Sequence, residues 1–151
     1  MPVESRRFAK AALAFLMLTF VAGLVFTLMR GAGASVPAIV EVEHGHAGFV
    51  GFLVNIVIGI ALWMLPLNRE RFPRTQGRYP LLAPALCFWL LNGGLLVRLV
   101  AEPLYVLAFP TMWLALMLDV AAFAQVVAIL LFAAIAWRRI RAPARPAPGV
   151  R

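Results

Sequence analysis

Four long apolar runs, separated by short polar breaks, limit the folds open to this chain more than any other feature. They extend from about 8 to 30, 44 to 66, 80 to 101 and 106 to 137. Each holds roughly 20 or more residues, and a helix rising ~1.5 Å per residue needs about that many to cross a ~30 Å hydrocarbon layer. The breaks are short, which makes successive helices antiparallel neighbours. The expected fold is therefore all-α, an integral membrane up-down four-helix bundle within residues 1–141. The last stretch, 142–151, is rich in Arg, Pro and Ala and is expected to be a disordered basic tail. Pro110 is expected to mark the true start of the fourth helix or a kink in it.

Charge is the next constraint. The chain is 64% hydrophobic and only 13% charged, yet it carries a net charge of +8. Nucleic acid is not the expected partner, because the basic residues gather at the ends of the apolar runs. They lie before the first run (Arg6, Arg7, Lys10), between the second and third (Arg69, Arg71, Arg74, Arg78) and after the fourth. The other two loops have almost none. Under the positive-inside rule this places both termini in the cytoplasm, and the expected location is a bacterial inner (cytoplasmic) membrane, crossed several times. The first run also begins like a signal peptide, and Ala32-Gly33-Ala34 resembles a cleavage site, but its length favours a retained span. The single cysteine, Cys87, excludes an internal disulfide framework and reads as a small packing residue.

The two histidines, His44 and His46, both sit where the second run begins, beside glycines. Imidazole is costly in lipid, so a histidine at a membrane helix is a candidate functional group. At about 100° per residue, His44, Gly48, Gly51, Asn55, Gly59 and Leu62 share one face of that helix. His46, Val50, Leu53, Val57, Ile60 and Met64 lie opposite. Only one histidine can then point into the bundle. The glycine face belongs inside, where a second backbone or a flat ligand can approach closely, so His44 is the expected inward residue; a later helix start would turn His46 in instead. The other polar groups within spans are Asn92, Arg98, Asp119 and Gln125. Arg98 and Asp119 are expected to meet as an ion pair, with Asp119 facing protein.

His-x-His at 44–46, Gly51, Gly59, Trp63-Met64-Leu65-Pro66, the basic loop with Phe72-Pro73-Arg74, and Phe88-Trp89-Leu90-Leu91-Asn92-Gly93-Gly94 together resemble the second and third helices of haem-copper oxidase subunit I. The closest resemblance is to its small four-span relatives, and it covers roughly His44 to Arg98. It implies that the helix-two histidine is an axial ligand of haem b. His44, 15 residues before Gly59 and 22 before Pro66, is the first choice and His46 the second. Gly48, Gly51, Asn55 and Gly59 would leave room for the porphyrin, Arg98 would meet the propionates, and Glu41, Glu43 or a loop carbonyl would hold the imidazole's other nitrogen. Cys87 stands where the small relatives often have a further histidine.

The expected function is electron transfer, or a part in respiratory or nitrogen-oxide metabolism. The oxidase's copper-site helices have no counterpart in 151 residues, so catalysis by this chain alone is not expected. The second axial ligand would come from a symmetric homodimer or from a methionine such as Met112. Besides the lipid bilayer, the expected partner is a second copy or a larger respiratory membrane complex. Two rivals stand beside this: a cofactor-free accessory subunit of such a complex, and a quinone-binding or transporter-like module with Asn92, Asp119 and Gln125 around one cavity.

Overall fold

The computed structural model describes residues 1–67, 72–78, 80 and 82–140. Four long helices account for most of them: α1 (Val3–Gly31), α2 (Ala38–Met64), α3 (Leu82–Leu107) and α4 (Met112–Arg139). A single 3₁₀ turn, Pro73–Thr75, lies between α2 and α3, and there is no strand among the described residues. All four helices are long and apolar enough to cross a bilayer, so the chain is an all-helical, multi-pass membrane protein. Arg69, Arg71 and the tail 142–151 lie outside the described residues.

Three helix boundaries differ from the sequence expectation, each for a local reason. α1 begins at Val3, directly after Pro2, so Arg6, Arg7 and Lys10 lie within the helix. α2 begins at Ala38, directly after Pro37, whose fixed φ suits the residue before a helix. The histidines therefore sit in its second and third turns, not at its start. α3 does not end at Ala101 but runs through Pro103 to Leu107. Continuing the helix sets Glu102 one turn beyond Arg98, where Nε lies 2.8 Å from Oε2. The turn into α4 falls at 108–111, and the Thr111 hydroxyl caps α4 by accepting the N–H of Leu114.

The contacts fix an antiparallel order. Down α2, Gly48, Gly51 and Gly59 face Thr19, Phe15 and Phe8 of α1 in turn. Asn55 meets Asn92 of α3, while Gly94 and Cys87 meet Ala121 and Ala128 of α4. Each helix thus packs on its sequence neighbour. α2 and α3 are central, and α1 and α4 are outer helices whose Cα atoms nowhere come within 8 Å of each other. One core cluster takes side chains from all four helices: Phe8, Ile58, Leu62, Cys87, Leu91, Ala128 and Ile135. Cys87 is buried there and its thiol donates to the Ala128 carbonyl at 3.3 Å, in keeping with a packing residue. A smaller cluster of Phe15, Ala47 and Leu95 lies nearer the histidines.

Arg139 closes the far end of the bundle. It is 3% exposed, and its guanidinium donates to the carbonyls of Leu62, Leu65 and Pro66. These are carbonyls that the end of α2 leaves without a helical donor. The last residue of α4 thereby ties its end to the end of α2.

Candidate functional site

Half-way along the α2–α3 contact, two amides lock together. Asn55, fully buried, donates to Asn92 Oδ1 at 3.0 Å, and Asn92 returns a bond to Asn55 Oδ1 at 3.0 Å. Asn55 also donates to the carbonyls of Gly51 and Val50, and Asn92 to that of Phe88. The α2 backbone above it, Ala47–Val54, has π-type hydrogen bonding, one residue wider than an α-turn. The Asn55 amide supplies donors to carbonyls in that widened stretch. Asn55 is on the inward face as expected, but it joins two helices and faces no cavity.

One turn and more above this pair is the histidine end. Here Glu43 of α2 points at α3 and is 4% exposed. Its Oε1 lies 3.2 Å from His46 Nδ1 and 3.5 Å from Arg98 Nε. Arg98 Nε also reaches Glu102 Oε2 at 2.8 Å. The cluster is two carboxylates, one guanidinium and one imidazole, drawn from two facing helices. The His46 contact is close but out of line for a hydrogen bond, so Nδ1 and Glu43 Oε2 are both buried without a hydrogen-bond partner. The His46 side chain is 29% exposed, so its ring is reachable from outside the bundle.

His44 faces the other way, toward α1. Its ring lies edge-on to Phe26 with centroids 5.3 Å apart. It also lies over Gly23, where an added Cβ would stand 3.5 Å from His44 Cε1, at ordinary contact distance. The two histidines are therefore on different sides of α2, as their spacing requires, and they do not approach a common point. His44 is the one on the glycine side, as expected. That side is full. A Cβ at Gly51 would sit 2.5 Å from Phe15 Cγ, and one at Gly59 3.1 Å from Phe8 Cβ. Gly48 is covered by Thr19 at 3.3 Å from the same construction. The glycines admit α1, and no flat cavity lies over them.

The remaining polar residues do not gather as their positions along the chain suggest. Arg98 pairs with Glu43 and Glu102, not with Asp119. The reason is reach: Glu102 is one helical turn away on the same helix, and Glu43 faces it from α2. Asp119 is exposed on α4. Gln125 lines an apolar groove with Val54, Leu91 and Ile129, its Nε2 buried without a partner. Asn92, Asp119 and Gln125 thus surround no common cavity. Among the described residues there is no cluster of three or more His, Cys, Asp or Glu able to hold a bare metal ion.

A porphyrin-bound iron needs less from the protein: one imidazole with an open ring nitrogen, held by a partner on the other nitrogen. His46 comes nearer to that requirement, with Glu43 Oε1 3.2 Å from its Nδ1 though out of line; the His44 Nδ1 is buried with no hydrogen-bond partner and no ion pair among the described residues. Met112, the methionine expected as a second ligand, is exposed on the outer helix α4. Glu43 is one of the acceptors expected from sequence for the imidazole's second nitrogen, whereas no role for Glu102 is among the expectations. Glu43 precedes His46 by three positions and Glu102 follows Arg98 by four, both helical spacings. Comparison of the chain with family models, with curated proteins and with solved structures finds no match.

Proposed function

We propose that this chain is a small haem b-binding protein of a bacterial inner membrane, both termini cytoplasmic, with His46 rather than His44 as the iron ligand. The observation that carries this choice is the buried Glu43 carboxylate 3.2 Å from His46 Nδ1 on a ring that is 29% exposed. A slight rotation of the ring would align that contact, hold the tautomer and leave Nε2 for iron. Arg98, 28% exposed beside it and paired with Glu43 and Glu102, would exchange its Glu102 contact for a propionate carboxylate. Bound haem would supply one-electron transfer. The second axial ligand comes from outside the chain, from a second copy or another subunit of a respiratory assembly. The protein is then an electron carrier or subunit in respiratory or nitrogen-oxide metabolism, not an oxidase by itself.

The test is the absorption spectrum of membranes holding the full chain. A Soret band is expected. His46→Ala should remove it, Glu43→Gln should weaken it by roughly 10–100-fold in haem affinity, and His44→Ala should leave most of it. Loss of the band in His44→Ala alone would return the ligand to His44 and overturn the choice of His46. A second reading, a cofactor-free accessory subunit of a larger membrane complex, is favoured by the filled glycine face, where α1 takes all the space. It predicts a folded, colourless preparation under haem-replete expression, which would overturn the haem proposal.

A further inference from the structure

α4 buries one stripe: Ala121, Ala128 and Ile135, spaced by two helical turns. Asp119 lies two residues from Ala121, about 200° around the helix, and so on the opposite face. It is exposed and takes part in no ion pair among the described residues. Its neighbours on that face are Met112, Leu116, Phe123, Val126 and Leu130, each at least 50% exposed. The face is an apolar stripe with one carboxyl group in it.

The depth of that group matters. Asp119 is eight residues past the Thr111 cap, roughly 12 Å along the helix axis. It is also six residues, about 9 Å, below Trp113, an exposed indole of the kind that marks the membrane interface. A lysine or arginine there could snorkel back to the headgroups on its long stem. Aspartate has one methylene and cannot. Ionisable side chains at such depth face protein or water and pair with a partner. The described residues offer none: α3 takes the other side of α4, and α1 does not reach it.

We propose that the outward face of α4 docks a transmembrane helix of a different protein, one that presents a Lys or Arg at the depth of Asp119. Charge complementarity selects the occupant. A second copy in the same orientation lacks the required base. Among the described residues, the exposed basic side chains Arg6, Arg7, Lys10, Arg74 and Arg138 lie at the opposite end of the bundle, and Arg30 at the near end is paired with Glu41. Arg98 is the sole basic residue at mid-span depth among them, and Glu43 and Glu102 occupy it. Docking at this face does not require haem.

The probe is a synthetic Leu/Ala transmembrane helix of about 24 residues carrying one Lys roughly 12 Å from its corresponding end. Its control has Leu in place of the Lys. Each is labelled with an acceptor and added to the donor-labelled full chain in phosphatidylcholine vesicles, and association is read by energy transfer. The Lys helix is expected to bind about 3- to 10-fold tighter than its control. Asp119→Leu should abolish that difference and Asp119→Asn should reduce it. Helicity should be unchanged in both variants, since the site faces outward. Equal binding of the two helices, or a difference that survives Asp119→Leu, overturns the proposal. So does Asp119-dependent energy transfer between two labelled copies of the chain, which would make a second copy the occupant.

Discussion

Substituting Gly51 by alanine tests whether the glycine face of α2 is a packing seam or a ligand cradle. The added methyl would lie 2.5, 2.7 and 2.8 Å from Phe15 Cγ, Cδ1 and Cβ, all well inside contact distance. Phe15 is 8% exposed, and the crowded atoms are the root of its side chain, so it cannot swing clear without moving α1. Overpacking of this kind costs ~1–3 kcal/mol, and better helix propensity returns at most ~1 kcal/mol. Three contacts this short put the cost in the upper part of that range, ~2–3 kcal/mol, so a net loss of roughly 1–2 kcal/mol is expected. Gly45→Ala is the control, because a Cβ there meets nothing within 4 Å; it should be neutral or stabilising by up to ~1 kcal/mol. Phe15→Ala removes Cγ and Cδ1, the two nearest of the three crowded atoms, and leaves Cβ at 2.8 Å, so the double variant should be more stable than the sum of the single losses, by ~0.5–1 kcal/mol. Reversible unfolding in detergent, followed by circular dichroism, reads all four proteins. Stability of Gly51→Ala equal to or above the wild type would refute the packing of α1 on α2 through this notch. A loss of bound haem in Gly51→Ala without loss of stability would mean that the notch holds a ligand in place of Phe15.

Two further outcomes follow from single contacts and a third from the charge of the loops. Asn92→Leu should cost ~1–2 kcal/mol by leaving the buried Asn55 amide short of its partner, while Asn55→Leu with Asn92→Leu should cost less than the two single losses combined; strict additivity in a double-mutant cycle would mean that the amides do not meet. Arg139→Lys keeps the charge but loses the planar fork that reaches three carbonyls of α2, so the unfolding temperature should fall and amide exchange near 62–66 should quicken; unchanged exchange would exclude the Arg139 clamp. Reporter fusions after Arg30 and after Arg74 should report opposite sides of the membrane, with the Arg74 fusion cytoplasmic. The same side for both would exclude four spans.

The number of helices, their approximate extent and the inward face of α2 are legible in the amino-acid sequence alone. The first two follow from run length against bilayer thickness, and the third from the spacing of Gly51, Asn55, Gly59 and Leu62, all of which are buried. These are one-dimensional properties, carried by residues whose cost in lipid or at a helix contact does not depend on which partner they meet. Partner choice does depend on it. Nothing in the order of residues says that Phe15 and Phe8 fill the glycine notches, that the His44 ring lies edge-on to Phe26, or that Arg139 reaches the carbonyls of Leu62 and Pro66 from 77 and 73 residues away. The expected Arg98–Asp119 pair fails for the same reason. Depth along a span can be counted from sequence, but the direction in which a side chain leaves its helix relative to a neighbour is set only when the helices are packed. That rotation turns Asp119 outward and brings Glu43 against Arg98, whereas the Glu43–His46 contact is local, three residues along one helix.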